Sequence, residues 1–206
     1  MSPRRRDSEG TAAARAKRRA ELLATAAEVF ASQGYAATTV RKVADAAGIL
    51  GGSLYYHFES KEAMADEILS TFLDELCAAY ESVLHRGLNA RDTLEGIIRE
   101  SFRTLDRHRP AVVLYQNESR HLAANERFHY LDESRRRFEE MWLTLLRRGM
   151  AEGAFRADLD PDLIHRFIRD TVWVAATWYR PGGRLSADDI AGQYLALVLD
   201  GLQTKQ

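Results

Sequence analysis

The sequence predicts an all-α protein, a small helix-turn-helix head followed by a larger helical body, and three observations carry that prediction. Apolar residues recur at three- and four-residue steps along most of the chain. No stretch sustains the alternation of a half-buried strand, and glycine or proline marks the ends of the periodic runs. The 206 residues are 46% hydrophobic and 29% charged, with 13 Gly and 4 Pro. That is enough apolar material for a real core, and too little glycine and proline for a linker-dominated or low-complexity chain.

The elements follow in order. From Ala16 to Gln33, Leu22, Leu23, Ala26, Val29 and Phe30 keep helical spacing, and Gly34 is a plausible end cap. Thr39 is an N-cap residue for a short second helix reaching Gly48, and a third runs from about Gly51 to Phe58. Ser60 caps a long helix from Lys61 to about Arg86, with Met64, Ile68, Phe72, Leu76 and Tyr80 at strict four-residue steps. Further helices are expected near Ala90 to His108, Pro110 to Ala123 and Asn125 to Gly153. Pro110 suits a first turn, where a missing N–H goes unnoticed. Asp160 and Pro161 open another helix reaching Arg180, a turn through Gly183 follows, and the last helix spans about Ser186 to Gly201. The plan is one of nine helices in three parts: a basic, flexible arm at 1–15, a head at 16–61 and a body at 62–206.

Charge is unevenly spread. Residues 1–61 hold ten basic and six acidic side chains, while the remainder holds 19 basic and 24 acidic ones, so a cationic head precedes an acidic body. Arg4, Arg5 and Arg6, with Lys17, Arg18 and Arg19, are expected to attract phosphate without reading sequence. No apolar run approaches the roughly 18 residues that span a bilayer, and the N-terminus leads into charge, so a cytoplasmic protein without a membrane partner is expected. Cys77 is the single cysteine, which excludes an intrachain disulfide and any multi-cysteine zinc site.

Residues 39–61 carry the sharpest signal. Val40, Val43, Ala44, Ile49, Leu54 and Phe58 are apolar where two crossed helices must pack, and Ala44, Ala47 and Gly48 are small enough for close approach. Gly51, Gly52, Ser53, Tyr55, Tyr56 and His57 are left on or near the outer side of the second of these helices, a set able to meet base edges or phosphates in a major groove. The run Leu-Tyr-Tyr-His-Phe-Glu-Ser-Lys at 54–61 resembles the head of the TetR family of bacterial transcriptional repressors. That resemblance implies a homodimer whose paired third helices occupy successive major grooves of double-stranded operator DNA, released by a small molecule. The residues it assigns to DNA are Thr39, Gly52, Ser53, Tyr55, Tyr56, His57 and Lys61, and Arg41 of the second helix is a further DNA-binding candidate. Leu50 departs from the pattern, standing where many members carry a Ser or Thr cap.

The body resembles a narrower group. Residues 166–183, the stretch Val112 to Glu118 and the variant Gly48 to Leu54 are similar to the actinobacterial TetR-type repressors of the later, ring C and D, steps of cholesterol breakdown, which implies a steroid-derived coenzyme A thioester as inducer. Arg169 and Trp173 lie four residues apart and share a helical face. Two readings stand side by side: an arginine stacked on a tryptophan, or a pair holding an acyl-CoA. Asp162, Arg166 and Asp170 form a separate ladder able to satisfy itself. Phe72, Phe138, Met141 and Trp142, with Leu76, Phe102 and Leu114, are further candidate pocket walls. Trp178, Tyr179, Ile190, Tyr194, Leu197 and Val198 are candidate dimer contacts.

Two other classes compete. Glu118 with His121 and Glu126 with His129 form Glu-x-x-His units of the kind that ligate iron in helical di-iron enzymes. On one continuous helix the eight-residue offset leaves them roughly 80° apart, unable to share a metal pair. A helical interaction module without DNA binding explains the body but not the basic head. No cofactor, catalytic group or metal site is expected.

Overall fold

The computed structural model describes the backbone of residues 3–202, with side-chain surroundings from residue 13 onward except at Asp200. Eight α-helices and no strand occur among the described residues. They are α1 (Pro3–Gln33), α2 (Val40–Ala46), α3 (Gly51–Tyr55), α4 (Lys61–Leu84), α5 (Ala90–Leu122), α6 (Tyr130–Ala151), α7 (Pro161–Trp178) and α8 (Ala187–Leu202). The helix count differs from the expected nine because the two helices separated at Pro110 are one element with a kink. His108 leaves helical geometry at φ −123° and ψ 28°. Pro110 has no N–H to return to residue 106, so the chain bends at that point and then resumes the helix. A single 3-10 turn, Glu126–Phe128, separates α5 from α6. α1 reaches back to Pro3 through the segment expected as a flexible arm. The side chains of Arg4, Arg5 and Arg6 lie outside the described ones.

The chain divides into two compact units between Ser70 and Thr71, nearer the middle of α4 than the expected boundary at 61 and 62. The reason is packing. The first turns of α4 belong to the head: Met64, Ala65, Ile68 and Leu69 are buried, Tyr35 Oη donates to Glu62 Oε1 at 3.2 Å, and Arg19 pairs with Glu67.

Within the head, α1 packs on α2 and α2 on α3. Thr39 caps α2, its Oγ1 accepting from the Lys42 N–H at 3.3 Å. The turn out of α2 depends on Gly48 at φ +66°: its N–H donates to the Asp45 carbonyl at 3.2 Å and the Ile49 N–H to the Ala44 carbonyl at 3.0 Å. This double closure satisfies carbonyls the helix end would orphan, and the left-handed backbone favours glycine. Leu54 and Phe58 then bury against the head core while the rest of α3 stays outside.

In the body, α5 packs along α6, α7 and α8, and α6 along α7. Leu94, Ile97, Ile98, Leu105, Leu145, Leu146, Ala175, Ala176 and Ala191 make the core. Among the described residues no helix is long and apolar enough to cross a membrane. Gly149 permits the closest approach: a Cβ there would lie 2.2 Å from Phe155 Cδ2 and 3.0 Å from Ala90 Cβ. Gly149→Ala is therefore expected to destabilise the body by about 1–3 kcal/mol through overpacking, measured as a lowered denaturation midpoint. An unchanged midpoint would show that the Phe155 ring can move aside freely.

Candidate nucleic-acid interface and ligand cavity

The head presents most of its predicted residues to solvent. Thr39, Arg41, Gly52, Ser53, Tyr55 and Tyr56 are all exposed, Tyr56 by 69%. Arg41 is nearly free, with Asp45 4.0 Å away and both side chains open to water. Leu50 precedes α3 without any side-chain cap, as the sequence led one to expect, and is 82% exposed. His57 is half-buried, and its Nδ1 is enclosed without a hydrogen-bond partner.

Other cations turn inward. Lys61 Nζ donates to the Tyr35 carbonyl at 3.0 Å and sits 4.2 Å over the Tyr35 ring. Lys61 thus braces α4 against the end of α1, with two N–H bonds left for any phosphate. Arg19 corrects the expected basic arm in the same way. Its guanidinium pairs with Glu67 and lies 4.2 Å over Phe58, so it is part of the head's packing. Arg15 lies 5.0 Å from the centre of the Tyr56 ring, and Arg18 pairs with Glu21 at 3.1 Å.

In the body, side chains from four helices meet around a cavity of about 70 Å³. Its walls are Leu76 and Tyr80 of α4, Tyr115 of α5, Arg135, Phe138, Glu139 and Trp142 of α6, and His165, Arg169 and Trp173 of α7. The predicted Arg169, Trp173, Phe138 and Trp142 are thereby brought together. Phe72 backs the wall with its ring 6.1 Å from Trp173 and 6.0 Å from Tyr115. Phe102 is buried and packs edge-on to Tyr194 at 5.7 Å, and Leu114 is buried; neither lines the cavity.

Met141 does not belong to this cavity. It lines a separate depression of about 250 Å³ with Leu84, Arg137, Glu140, Thr144, Leu145 and Arg148. Helical spacing explains the separation: residues 135, 138, 139 and 142 form one stripe of α6, and 137, 141, 144 and 148 the next.

The electrostatics also differ from expectation. Arg169 Nε donates to Asp170 Oδ1 at 2.8 Å, and Arg147 takes Asp162 at 3.6 Å, so the expected ladder of Asp162, Arg166 and Asp170 is broken up. The described cation–π contacts are those of Arg15, Arg19 and Lys61, and none joins Arg169 to Trp173. Tyr80 Oη and Ser101 Oγ share a hydrogen bond of 2.6 Å, and burial pushes the Tyr80 phenol up to about 12. His165, missed in the sequence, is 4% exposed and stacks at 5.9 Å on Trp142. Its signal was its step of four from Arg169 and eight from Trp173. Burial, helped by the Arg169 charge, holds its imidazole below the usual 6.5.

The last helices expose an apolar line. Leu163, Phe167, Val174 and Trp178 of α7 and Leu197 of α8 are exposed, with Ile190, Tyr194 and Val198 half-buried. Tyr179 leaves the predicted dimer set: it is buried, donates to Asp106 Oδ1 at 2.5 Å, and is pushed up to about 12 by burial and that carboxylate. Leu163, Phe167 and Val174 join the line at helical steps from Trp178. His121 and His129, in the two Glu-x-x-His units, are both exposed. Among the described residues no three metal-ligating side chains cluster.

Comparison with known proteins decides the family. The profile described as "Bacterial regulatory proteins, tetR family" matches residues 22–68, and "Tetracyclin repressor-like, C-terminal domain" matches residues 87–202. The chain belongs to the TetR family of transcriptional regulators. It is 54% identical over 185 residues to the HTH-type transcriptional repressor KstR2 of Rhodococcus jostii, covering 90% of this chain and 91% of that one. It is 50% identical to KstR2 of Mycobacterium tuberculosis, covering 90% and 92%. The structure of the ketosteroid transcriptional regulator KstR2 of Mycobacterium tuberculosis superposes with a TM-score of 0.88 at 49% identity, covering 91% of this chain and 96% of that chain. For this TetR-family chain the helix-turn-helix is accordingly a DNA-binding element and the protein a transcriptional repressor of the KstR2 type.

The buried imidazole sets a pH dependence. With its folded value below 6.5, His165 binds fewer protons folded than unfolded, so its contribution is present above 6.5 and is lost as pH falls through that value toward the folded one. Denaturation midpoints are expected to drop on acidification below 6.5, and His165→Gln to flatten that part of the profile. An unaltered profile in the variant would assign the acid sensitivity elsewhere.

Proposed function

We propose that this protein represses transcription as a homodimer on a roughly palindromic operator and is released by a steroid-derived acyl-CoA thioester. The observation that carries the ligand half is the convergence of Arg169, Trp173, Phe138 and Trp142 on one aromatic cavity. An indole and a benzyl ring offer planar apolar walls, and Arg135 and Arg169 offer guanidinium donors for a carbonyl, carboxylate or phosphate. The similarity to relatives named KstR2, one of them described as a ketosteroid regulator, supports a steroid origin for the apolar part.

On the DNA side, Gly52, Ser53 and Tyr55 are the base-reading candidates of α3, and Thr39, Arg41, Tyr56, His57 and Lys61 hold the backbone. Small residues at the start of α3 allow the helix to sit deep in the groove. Trp178, Ile190, Tyr194, Leu197 and Val198, joined by Leu163, Phe167 and Val174, form the line by which two α7–α8 pairs cover each other. An isologous pairing matches the twofold symmetry of a palindrome.

A space of about 70 Å³ is far below the roughly 300–1,000 Å³ of ordinary ligand sites, so the ligand must hold its walls apart. Any molecule that binds the opened body better than the closed one shifts the population toward it, and release follows if the opened form spaces the two heads wrongly for successive grooves.

The test is a gel shift across a salt series, then titration with acyl-CoA thioesters. Wild-type protein is expected to shift operator DNA with a steep salt dependence and to let go when a steroid acyl-CoA is added. Arg169→Met and Trp173→Leu are expected to weaken thioester binding roughly ten- to a hundredfold, measured calorimetrically, and to leave operator affinity nearly unchanged. Wild-type thioester affinity in both variants would reduce the two residues to structural roles.

A further inference from the structure

We propose that His165 reads an oxygen function, a ketone or a hydroxyl, on the ring body of the ligand. The inference rests on the ligand reading of the cavity above and goes beyond it by naming the chemistry the cavity selects. His165 lines the cavity and is 4% exposed, yet among the described hydrogen bonds its ring makes none. Other polar groups of the wall are engaged locally: the buried Tyr80 hydroxyl bonds to Ser101 at 2.6 Å. Arg169 is held by Asp170 and Arg135 by Asp132 at 3.3 Å. Tyr115, Glu139 and His165 are the wall's polar side chains without a described hydrogen bond, and of these three only His165 is buried, the other two being half-buried.

A ring that only filled space beside Trp142 would be served as well by phenylalanine, which carries no polar atoms to desolvate. The ring has no described hydrogen bond and its nitrogens are not among the fully enclosed unpartnered atoms, so its polar edge keeps accessible surface at which a ligand oxygen can meet it. Burial keeps the imidazole neutral at neutral pH, so it presents one N–H donor and one bare nitrogen acceptor. The donor matches a ketone, and both edges together match a hydroxyl. A site built to hydrogen-bond an oxygen rejects the deoxy analogue, because the site's own polar group is then left unpaired.

The experiment titrates full-length protein with two probes that differ by one oxygen, the coenzyme A thioesters of a decalin carboxylic acid and of its ring-ketone derivative. Wild type is expected to favour the keto probe by about tenfold or more. His165→Phe is expected to bring the keto-to-deoxy affinity ratio toward one, whatever its effect on the affinity for both probes, and His165→Gln, which keeps a donor, to retain part of the preference. If His165→Phe fails to fold by circular dichroism, His165→Leu and His165→Gln carry the same comparison. Equal keto preference in wild type and in the apolar variant, with binding still sensitive to Arg169→Met, overturns the role of His165 and leaves the cavity reading standing. Failure of both probes to bind wild type, or binding indifferent to Arg169→Met, overturns the cavity reading and this inference with it.

Discussion

The body's candidate site depends on one cluster of rings. Tyr80 of α4 meets Phe138 and Trp142 of α6 edge-on at 5.7 and 6.1 Å, and Trp142 lies 5.9 Å from His165 of α7. Each such pair contributes about 0.5–1.5 kcal/mol beyond its buried area, and together they fix three helices at the spacing of an aromatic ring. A ring is too stiff to fill every corner of that space, so a small cavity persists where aliphatic side chains would have closed in. The same rings that hold the helices apart thus form the cavity's walls, and structure and recognition cannot be assigned to separate residues there.

The head shows a second use of aromatic faces. Arg15, Arg19 and Lys61 each lie over a ring of Tyr56, Phe58 or Tyr35, so part of the basic excess of residues 1–61 is spent inside the unit. A guanidinium over a ring keeps its N–H edges available for anions, an edge that Arg19 already uses on Glu67, and Lys61 surrenders one of its three donors to the Tyr35 carbonyl. Net charge alone therefore overstates the number of phosphates the described residues of the head can neutralise. Arg41, exposed on α2 with only a distant Asp45, is a clearer candidate than its position beside Lys42 suggests.

Much of this was legible in the sequence, for identifiable reasons. Periodicity places Met64, Ile68, Phe72, Leu76 and Tyr80 on the buried side of α4, and all five are buried. Spacing alone puts Arg169 and Trp173 on one face, and the cavity lies against that face. What spacing cannot supply is the partner across a helix interface. Met141 is apolar and adjacent to Trp142, yet the 100° step between neighbours carries it to a different depression. Tyr179 ends an amphipathic helix beside exposed Trp178, but a carboxylate 73 residues away, Asp106, draws its hydroxyl inward. Proline at 110 announces a break without saying whether the chain turns back or merely bends, because the neighbouring helices decide that.

Such partnerships also explain why exposed and buried polar groups carry different information here. Exposed ion pairs such as Arg41 with Asp45 or Arg135 with Asp132 are weak individually and screened by salt, so they can be broken by an incoming anion at small cost. Arg169 is of that kind: its bond to Asp170 is at the surface and competes only modestly with a ligand oxygen. His165 is of the other kind, buried beside a tryptophan and without a protein partner among the described hydrogen bonds, so a ligand oxygen need not displace an ion pair to reach it. A cavity with an exchangeable charge at its mouth and an unspent hydrogen-bonding group in its wall has the asymmetry needed to orient a long ligand with one ionic end and one sparingly oxygenated ring end.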